Sequence, residues 1–268
     1  MNIHPTAIIS PDAKLADDIV IGPGVIIGER VEIGSGCVLQ ARAVIESDTT
    51  MGSGNSVGYG AIIGAAPQDY AHSEAIRSSV VIGNNNRIRE YATIHRGTKE
   101  GTVTRIGDNC FLMVGVHVGH NCEVADGAII TNNVLLAGYV QVGEGAVLGG
   151  GAVFHQFMRI GRRAMVAGGS RFNKDIPPFT IADSYNKIHG INSIGLKRAG
   201  VDSARRLDIK RAFQSVFREN KPFRAAAEKA LAKAEWGPEA REFFEFILSS
   251  KRGVCGTSVP RGDSEENS

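Results

Sequence analysis

The sequence is short of the features that mark several common classes of protein. Only four of its 268 residues are cysteine. Cys37, Cys110, Cys122 and Cys255 show no paired spacing, so the expectation is reduced thiols in a cytoplasm and not a disulfide framework. An excess of one charge is also missing: the formal net charge is +2, which argues against a dedicated nucleic-acid binder. No apolar run approaches the ~20 residues needed to cross a membrane. The start, Met1-Asn2-Ile3-His4, has no basic region leading into an apolar stretch, so no signal peptide is expected.

What the sequence does have is a period of six. Ile3, Ile9, Leu15, Ile21, Ile27, Ile33, Leu39, Ile45, Met51, Val57 and Ile63 stand six residues apart and are all aliphatic or Met. A second register runs through Ile82, Ile88 and Ile94, and a third runs from Ile106 through Leu112, Val118 and Val124 to Val166. Apolar residues are 43% of the chain, too few for chance to produce such runs. Gly often follows the aliphatic residue, and Gly or Asn collects where a tight corner would need positive φ. Each hexad therefore reads as a short strand and a turn, with the aliphatic side chain inward and its neighbours outward. One hexad cannot bury a core, so coils must stack about 4.8 Å apart as a parallel β-helix.

The register breaks at residues 65–79 and again near 97–104. Long loops in compact domains tend to be functional, so both are read as framing a site. After Phe172 the repeat ends, and Pro177-Pro178 marks an extended linker. Three amphipathic helical patterns follow. The first is Ile209, Phe213, Val216 and Phe217; the second is Phe223, Ala226, Ala227, Ala230, Leu231 and Ala234; the third is Ala240, Phe243, Phe244, Ile247 and Leu248. Asn220 ahead of Pro222, and Gly237-Pro238, punctuate them. The expected organisation is a β-helix over 1–190, an α-helical domain over 191–253 covering the open end, and a disordered polar tail over 254–268.

Four of the seven histidines, His95, His117, His120 and His155, fall in or beside the third register. If one coil is eighteen residues, His120, Gly138 and Gln156 stack in one column, with Tyr139 and His155 at the same edge. A surface His can act as a general base, since its usual pKa near 6.5 leaves it largely neutral. A Gly N–H one coil away could hold an oxyanion. A lone surface His is more often just solvated; the column is what favours chemistry. His117-x-x-His120 is loosely ligand-like, but the stacked positions 99, 102, 135 and 138 offer no third ligand, so no metal or other cofactor is expected. A non-catalytic β-helix scaffold is the competing class.

Several motifs, in order, resemble one family. They are Pro67-Gln68-Asp69, Arg87-Ile88-Arg89-Glu90, Thr93-Ile94-His95-Arg96-Gly97-Thr98, His117-Val118-Gly119-His120-Asn121-Cys122, Leu136-Ala137-Gly138, Val153-Phe154-His155-Gln156-Phe157 and Gly195-Leu196-Lys197-Arg198. The chain resembles the acyl-ACP–UDP-N-acetylglucosamine O-acyltransferases of lipid A biosynthesis over nearly its whole length. The resemblance implies three hexads per coil, a left-handed helix, and a cytoplasmic homotrimer with sites in clefts between subunits. It implies transfer of a (3-hydroxy)acyl chain from acyl carrier protein to the 3-position of a UDP-sugar. His120 would be the base, Gly138 the oxyanion donor, and Asp69, His117, His155 and Gln156 the pocket lining. Asn192 and Arg198 would meet the nucleotide sugar, and Gly168 would stand at the position that limits acyl length, where Gly leaves room for a long chain. Lys197, Arg205, Arg206, Lys210 and Arg211 would face the acidic carrier protein. The chain departs from the family at Ala71, where Lys is usual, and at Tyr139, which replaces a pocket His. It also departs at Ile194 and Ala199 and at Asn121, where the best-known members have Asp. These departures leave N-acylation of a 3-amino UDP-sugar, or acylation of another nucleotide sugar, open as alternatives. The sister N-acyltransferase of the same pathway carries an extra N-terminal uridine-binding domain; here the repeat starts at Ile3.

Overall fold

A computed structural model describes residues 1–218, 222–233 and 235–257. Each regular hexad folds as a two-residue strand and a turn. Strands three hexads apart pair in parallel: Val118 lies beside Leu136, and Leu136 beside Phe154. One coil of the regular region is therefore eighteen residues. Among the described residues the coils build three sheets, of 12, nine and eight strands. We number the faces by the order in which the chain visits them. The first carries Val20–Ile21, the second Ile26–Ile27 and the third Glu32–Ile33.

The inward residues of all three faces meet in one core, and Ile45, Ile63, Ile94, Val118, Leu136 and Phe154 are wholly shielded. Burying one such side chain stabilises the fold by about 1.5–3 kcal/mol. Gly36 and Asn133 turn corners with φ of 68° and 56°, the left-handed region that Gly and Asn adopt most readily. The first coil has no neighbour beneath it, and its inward Ile3 stays exposed. The result is a left-handed parallel β-helix with a small α-helical C-terminal part.

Past Phe172 the structure differs from the sequence reading. The prism continues through one irregular coil, with Ile160 bridged to Ile176 and Met165–Val166 paired in parallel with Ile181–Ala182. Pro177 and Pro178 are buried in this coil and do not form a linker. A Cβ at Gly161 would overlap Pro178. The strand Lys187–Ile191 then turns back antiparallel, and Gly256–Thr257 adds to its edge. Residues 254–257, expected in a disordered tail, are therefore part of the fold. Val254 and Cys255 are buried, and the Cys255 N–H donates to the Asp175 carbonyl at 2.8 Å. Residues 258–268 lie outside the described residues, as do Asn220 and Ala234.

Among the described residues four helices follow the hairpin: α1 (Ser193–Arg198), α2 (Ser203–Phe217), α3 (Phe223–Lys233) and α4 (Pro238–Ser249). Periodicity gave no sign of α1, which is shorter than two turns. Asp202 caps α2 by accepting from the Arg205 N–H at 2.8 Å, and Pro238, with φ already set for a helix, opens α4. Their apolar faces meet at Phe213, Phe217 and Phe243, whose ring centroids lie 4.9–6.4 Å apart. Helix α4 docks on the last coils of the third face. There the Arg159 guanidinium lies 4.3 Å from the Phe246 ring centre, and Arg162 pairs with Glu242 at 2.8 Å.

Candidate active site

Both insertions leave the second face and rejoin the chain on the third. The first joins Ile62–Ala65 to Ser79–Ile82, and the second joins Thr93–His95 to Val103–Ile106. They brace one another. Ser78 Oγ donates to the Gly97 carbonyl at 2.6 Å, and the Gly101 N–H donates to the Arg77 carbonyl at 2.8 Å. The next coils place His120, Gly138 and Gln156 at this same corner, because His117, Leu135 and Val153 pair in register just before it. The loops and the column enclose a pocket of about 300 Å³ lined by Gln68, His95, His117, His120, Gly138 and Gln156. Leu135, Val153 and Phe154 supply its apolar wall.

His120 is buried and lies flat against Gly138; any Cβ at 138 would overlap the imidazole. Among the described residues the Gly138 N–H donates to no acceptor, so it is free to bind an anionic oxygen. His120 Nδ1 lies 3.0 Å from Asn121 Oδ1. Tyr139 meets the His120 ring edge-on at 5.3 Å and stacks on Phe157 at 4.7 Å. Tyr139 and Phe157 hold φ of 61° and 62°, which costs a bulky residue about 1 kcal/mol each. Their stacking returns roughly 0.5–1.5 kcal/mol.

His117 Nδ1 lies 2.8 Å from Thr93 Oγ1, and its ring packs edge-on to His95 with centroids 5.0 Å apart. Burial, with His95 and His120 adding to it, pushes the His117 pKa down to about 4. Burial also lowers that of His95, against the opposing pull of the Ala66 carbonyl 2.6 Å from its Nδ1. Both rings are therefore neutral near pH 7. Among the described residues no three His, Cys, Asp or Glu side chains gather as metal ligands.

The remaining expected site residues do not line this pocket. Asp69 is exposed on the first loop, where its Oδ1 accepts from the Ala71 N–H at 2.9 Å. His155 is exposed and its Nδ1 accepts from Arg252 Nη2 at 3.2 Å; that donor also excludes the Nδ1 contact with the Gln156 carbonyl as a hydrogen bond. Gly168 sits at the corner between the first and second faces, where a Cβ would stand 3.0 Å from the Gly150 carbonyl oxygen. Asn192 caps α1. Its Oδ1 accepts from the Gly195 N–H, and its Nδ2 donates to the Arg163 carbonyl, both at 3.0 Å. Arg198 is exposed in the last turn of α1. Two polar side chains of the pocket, His95 and Gln68, had no site role in the sequence reading. The signal for His95 was its place directly after an inward residue, Ile94, where many hexads have Gly.

Comparison with known proteins agrees with this geometry. Residues 104–138 match the family model described as bacterial transferase hexapeptide (six repeats). Residues 175–255 match that of UDP N-acetylglucosamine O-acyltransferase, domain 2. An acyl-[acyl-carrier-protein]–UDP-N-acetylglucosamine O-acyltransferase of Aquifex aeolicus is 56% identical over 197 residues, 73% of this chain and 75% of that protein. One from Synechocystis is 42% identical over 191 residues, 71% of this chain and 68% of the relative. The crystal structure of the UDP-N-acetylglucosamine acyltransferase of Bacteroides fragilis superposes with a TM-score of 0.90 at 37% identity, covering 94% of this chain and 99% of that one. The Francisella novicida enzyme gives 0.91 at 36% identity, covering 96% and 94%. The chain belongs to the acyl-[acyl-carrier-protein]–UDP-N-acetylglucosamine O-acyltransferase family.

Proposed function

We propose that this enzyme transfers an acyl or 3-hydroxyacyl chain from acyl carrier protein to the 3-hydroxyl of UDP-N-acetylglucosamine, the first step of lipid A biosynthesis. The observation that carries the reading is the contact of His120 with Gly138 in a pocket beside two braced loops. In the reaction, His120 takes the proton of the sugar 3-hydroxyl on Nε2. The oxygen attacks the thioester carbonyl, and the Gly138 N–H donates to the tetrahedral oxyanion. The C–S bond breaks and the carrier's thiolate takes the proton back from His120. His117 and Gln156 are the polar walls that hold the sugar. Burial disfavours a proton on His95 and His117, and His120 is the ring that lies against Gly138.

The working form we propose is a homotrimer. The three faces differ outside although they match inside. The outward row of the second face includes Ile8, Ile26, Val44 and Ile62, and that of the first includes Val20, Phe111, Ile129 and Met165. The third face presents Lys14, Glu32, Arg105, Glu123, Gln141 and Arg159. Two apolar faces and one charged face suit a ring of copies, first face to second. Helix α1 of a neighbouring copy would then bring Asn192 and Arg198 to the cleft, with Asp69 and His155 at its rim and Gly168 along the acyl path. Reduced, buried thiols support a cytoplasmic setting. The test is mass spectrometry of product from the purified protein offered a panel of acyl carriers and UDP-sugars. The expected product is UDP-N-acetylglucosamine bearing one ester-linked acyl chain. Acylation of a 3-amino sugar alone would overturn the reading in favour of N-acylation.

A further inference from the structure

The two family departures nearest His120, Asn121 and Tyr139, converge on one residue of the second loop. The Thr98 N–H donates to Asn121 Oδ1 at 3.1 Å, and Thr98 Oγ1 donates to the same oxygen at 3.1 Å. The Tyr139 hydroxyl lies 3.2 Å from Thr98 Oγ1. The Asn121 N–H donates to Thr104 Oγ1 at 2.7 Å, so its backbone is held from the other side. A backbone N–H can only donate. It therefore decides which end of the Asn121 amide faces inward, and that end is the oxygen. The hydroxyl of Thr98 has spent its proton on Asn121, so Tyr139 must donate to Thr98. The atom 3.0 Å from His120 Nδ1 is then an acceptor, and Nδ1 must carry the proton. Nε2 is left with its lone pair.

From this chain of donors we infer that Thr98, through Asn121, is a positioning residue that holds neutral His120 as the Nδ1–H tautomer without any carboxylate. An amide could present either end to the imidazole, and its NH₂ end would force the unproductive tautomer. The Thr98 N–H removes that choice, which is the physical reason a neutral Asn can stand beside the base. The Asn121 oxygen sets the direction of the hydroxyl relay, Tyr139 completes it by donating to Thr98 Oγ1, and the left-handed corner of Tyr139 brings its ring edge-on to His120. The loop bearing Thr98 thus belongs to the site although Thr98 does not line the pocket.

The inference rests on the reading of His120 as the base, and the experiment separates the two. Histidine side chains of the ¹⁵N-labelled full-length protein are observed by NMR at neutral pH, with the His120 signals assigned by their loss in His120→Ala. The wild type is expected to show His120 protonated at Nδ1 and bare at Nε2. Asn121→Asp, which keeps an acceptor, retains that pattern and turns over within about tenfold of wild type. Asn121→Leu removes the acceptor, mixes the tautomers and lowers kcat by about 100-fold with KM for the UDP-sugar little changed. Thr98→Val keeps the N–H and loses the relay, with a smaller kcat loss of about tenfold. His120 protonated at Nε2 in the wild type, or Asn121→Leu with wild-type tautomer and kcat, overturns the inference. Full transfer by His120→Ala overturns instead the assignment of the base, and the wild-type spectrum still decides the tautomer.

Discussion

The second and third faces of the prism are built from the same hexad and differ only on the outside. Their inward rows match: Val118, Leu136 and Phe154 on one, Val124, Val142 and Ile160 on the other, all buried. Their outward rows do not. Leu135 and Val153 leave 43% and 38% of their surface exposed on the second face. The equivalent positions of the third hold Glu123, Gln141 and Arg159 in register. Stacking needs only the inward side chain and the backbone ladder, so the outward position carries no folding constraint. It is free to hold a pocket on one face and a solvated charge row on another. The corner shows the same division. Between these faces it carries Arg30 and Asp48 as an exposed ion pair at 2.8 Å in the early coils, a pair worth about 0–1 kcal/mol. Further along it carries His120, Gly138 and Gln156.

Three variants press on that contrast. The largest effect is expected at the site corner. Gly138→Ala places a methyl group where the His120 ring lies, and kcat should fall about 100- to 1,000-fold. Circular dichroism should stay that of the wild type, because the core side chains are untouched. Next come the faces themselves. Ile26→Lys with Val44→Lys adds two charges to the outward row of the second face, and sedimentation should show the proposed trimer giving way to monomer at micromolar concentration. Glu123→Lys with Gln141→Lys on the third face should leave both assembly and stability within about 0.5 kcal/mol per site. Equal behaviour of the two pairs would remove the argument from face chemistry to assembly.

A further effect is one of pH. His117 has a folded pKa of about 4, below its ordinary value near 6.5. Below pH 6.5 the unfolded chain binds a proton that the folded chain refuses. The stabilising contribution is therefore complete above about pH 6.5 and is lost as pH falls toward 4. Melting temperature measured between pH 7.5 and 4.5 should drop across that window. In His117→Gln, which cannot titrate, the drop should be shallower.

Much of this was legible in the chain. The hexad fixes an inward position every six residues, and Ile3 through Val166 announce it without any tertiary knowledge. His120, Gly138 and Gln156 could be stacked on paper, because a constant coil length converts sequence separation into height. The irregular end was not legible. Pro177 and Pro178 read as a linker because proline normally ends a strand, yet a coil corner needs no N–H from either. Val254 and Cys255 looked like tail because four residues carry no period, and their burial depends on Asp175, which accepts from the Cys255 N–H far back along the chain. Thr98 stood in the sequence only as the last residue of a motif, with no role of its own, because no spacing ties it to Asn121 and Tyr139.

The sequence by itself determined the six-residue repeat, because it follows from a fixed spacing of one aliphatic residue; the eighteen-residue coil was what the resemblance implied, and strand pairing in the structure turns it into the column of His120, Gly138 and Gln156. Only the tertiary structure decided which end of Asn121 meets His120, that His95 and Gln68 join the pocket, and that Asn192 spends its amide on capping α1. Those outcomes depend on loops of irregular length meeting one another, and the direction of a hydrogen bond is set by what its partners can donate, which no spacing encodes.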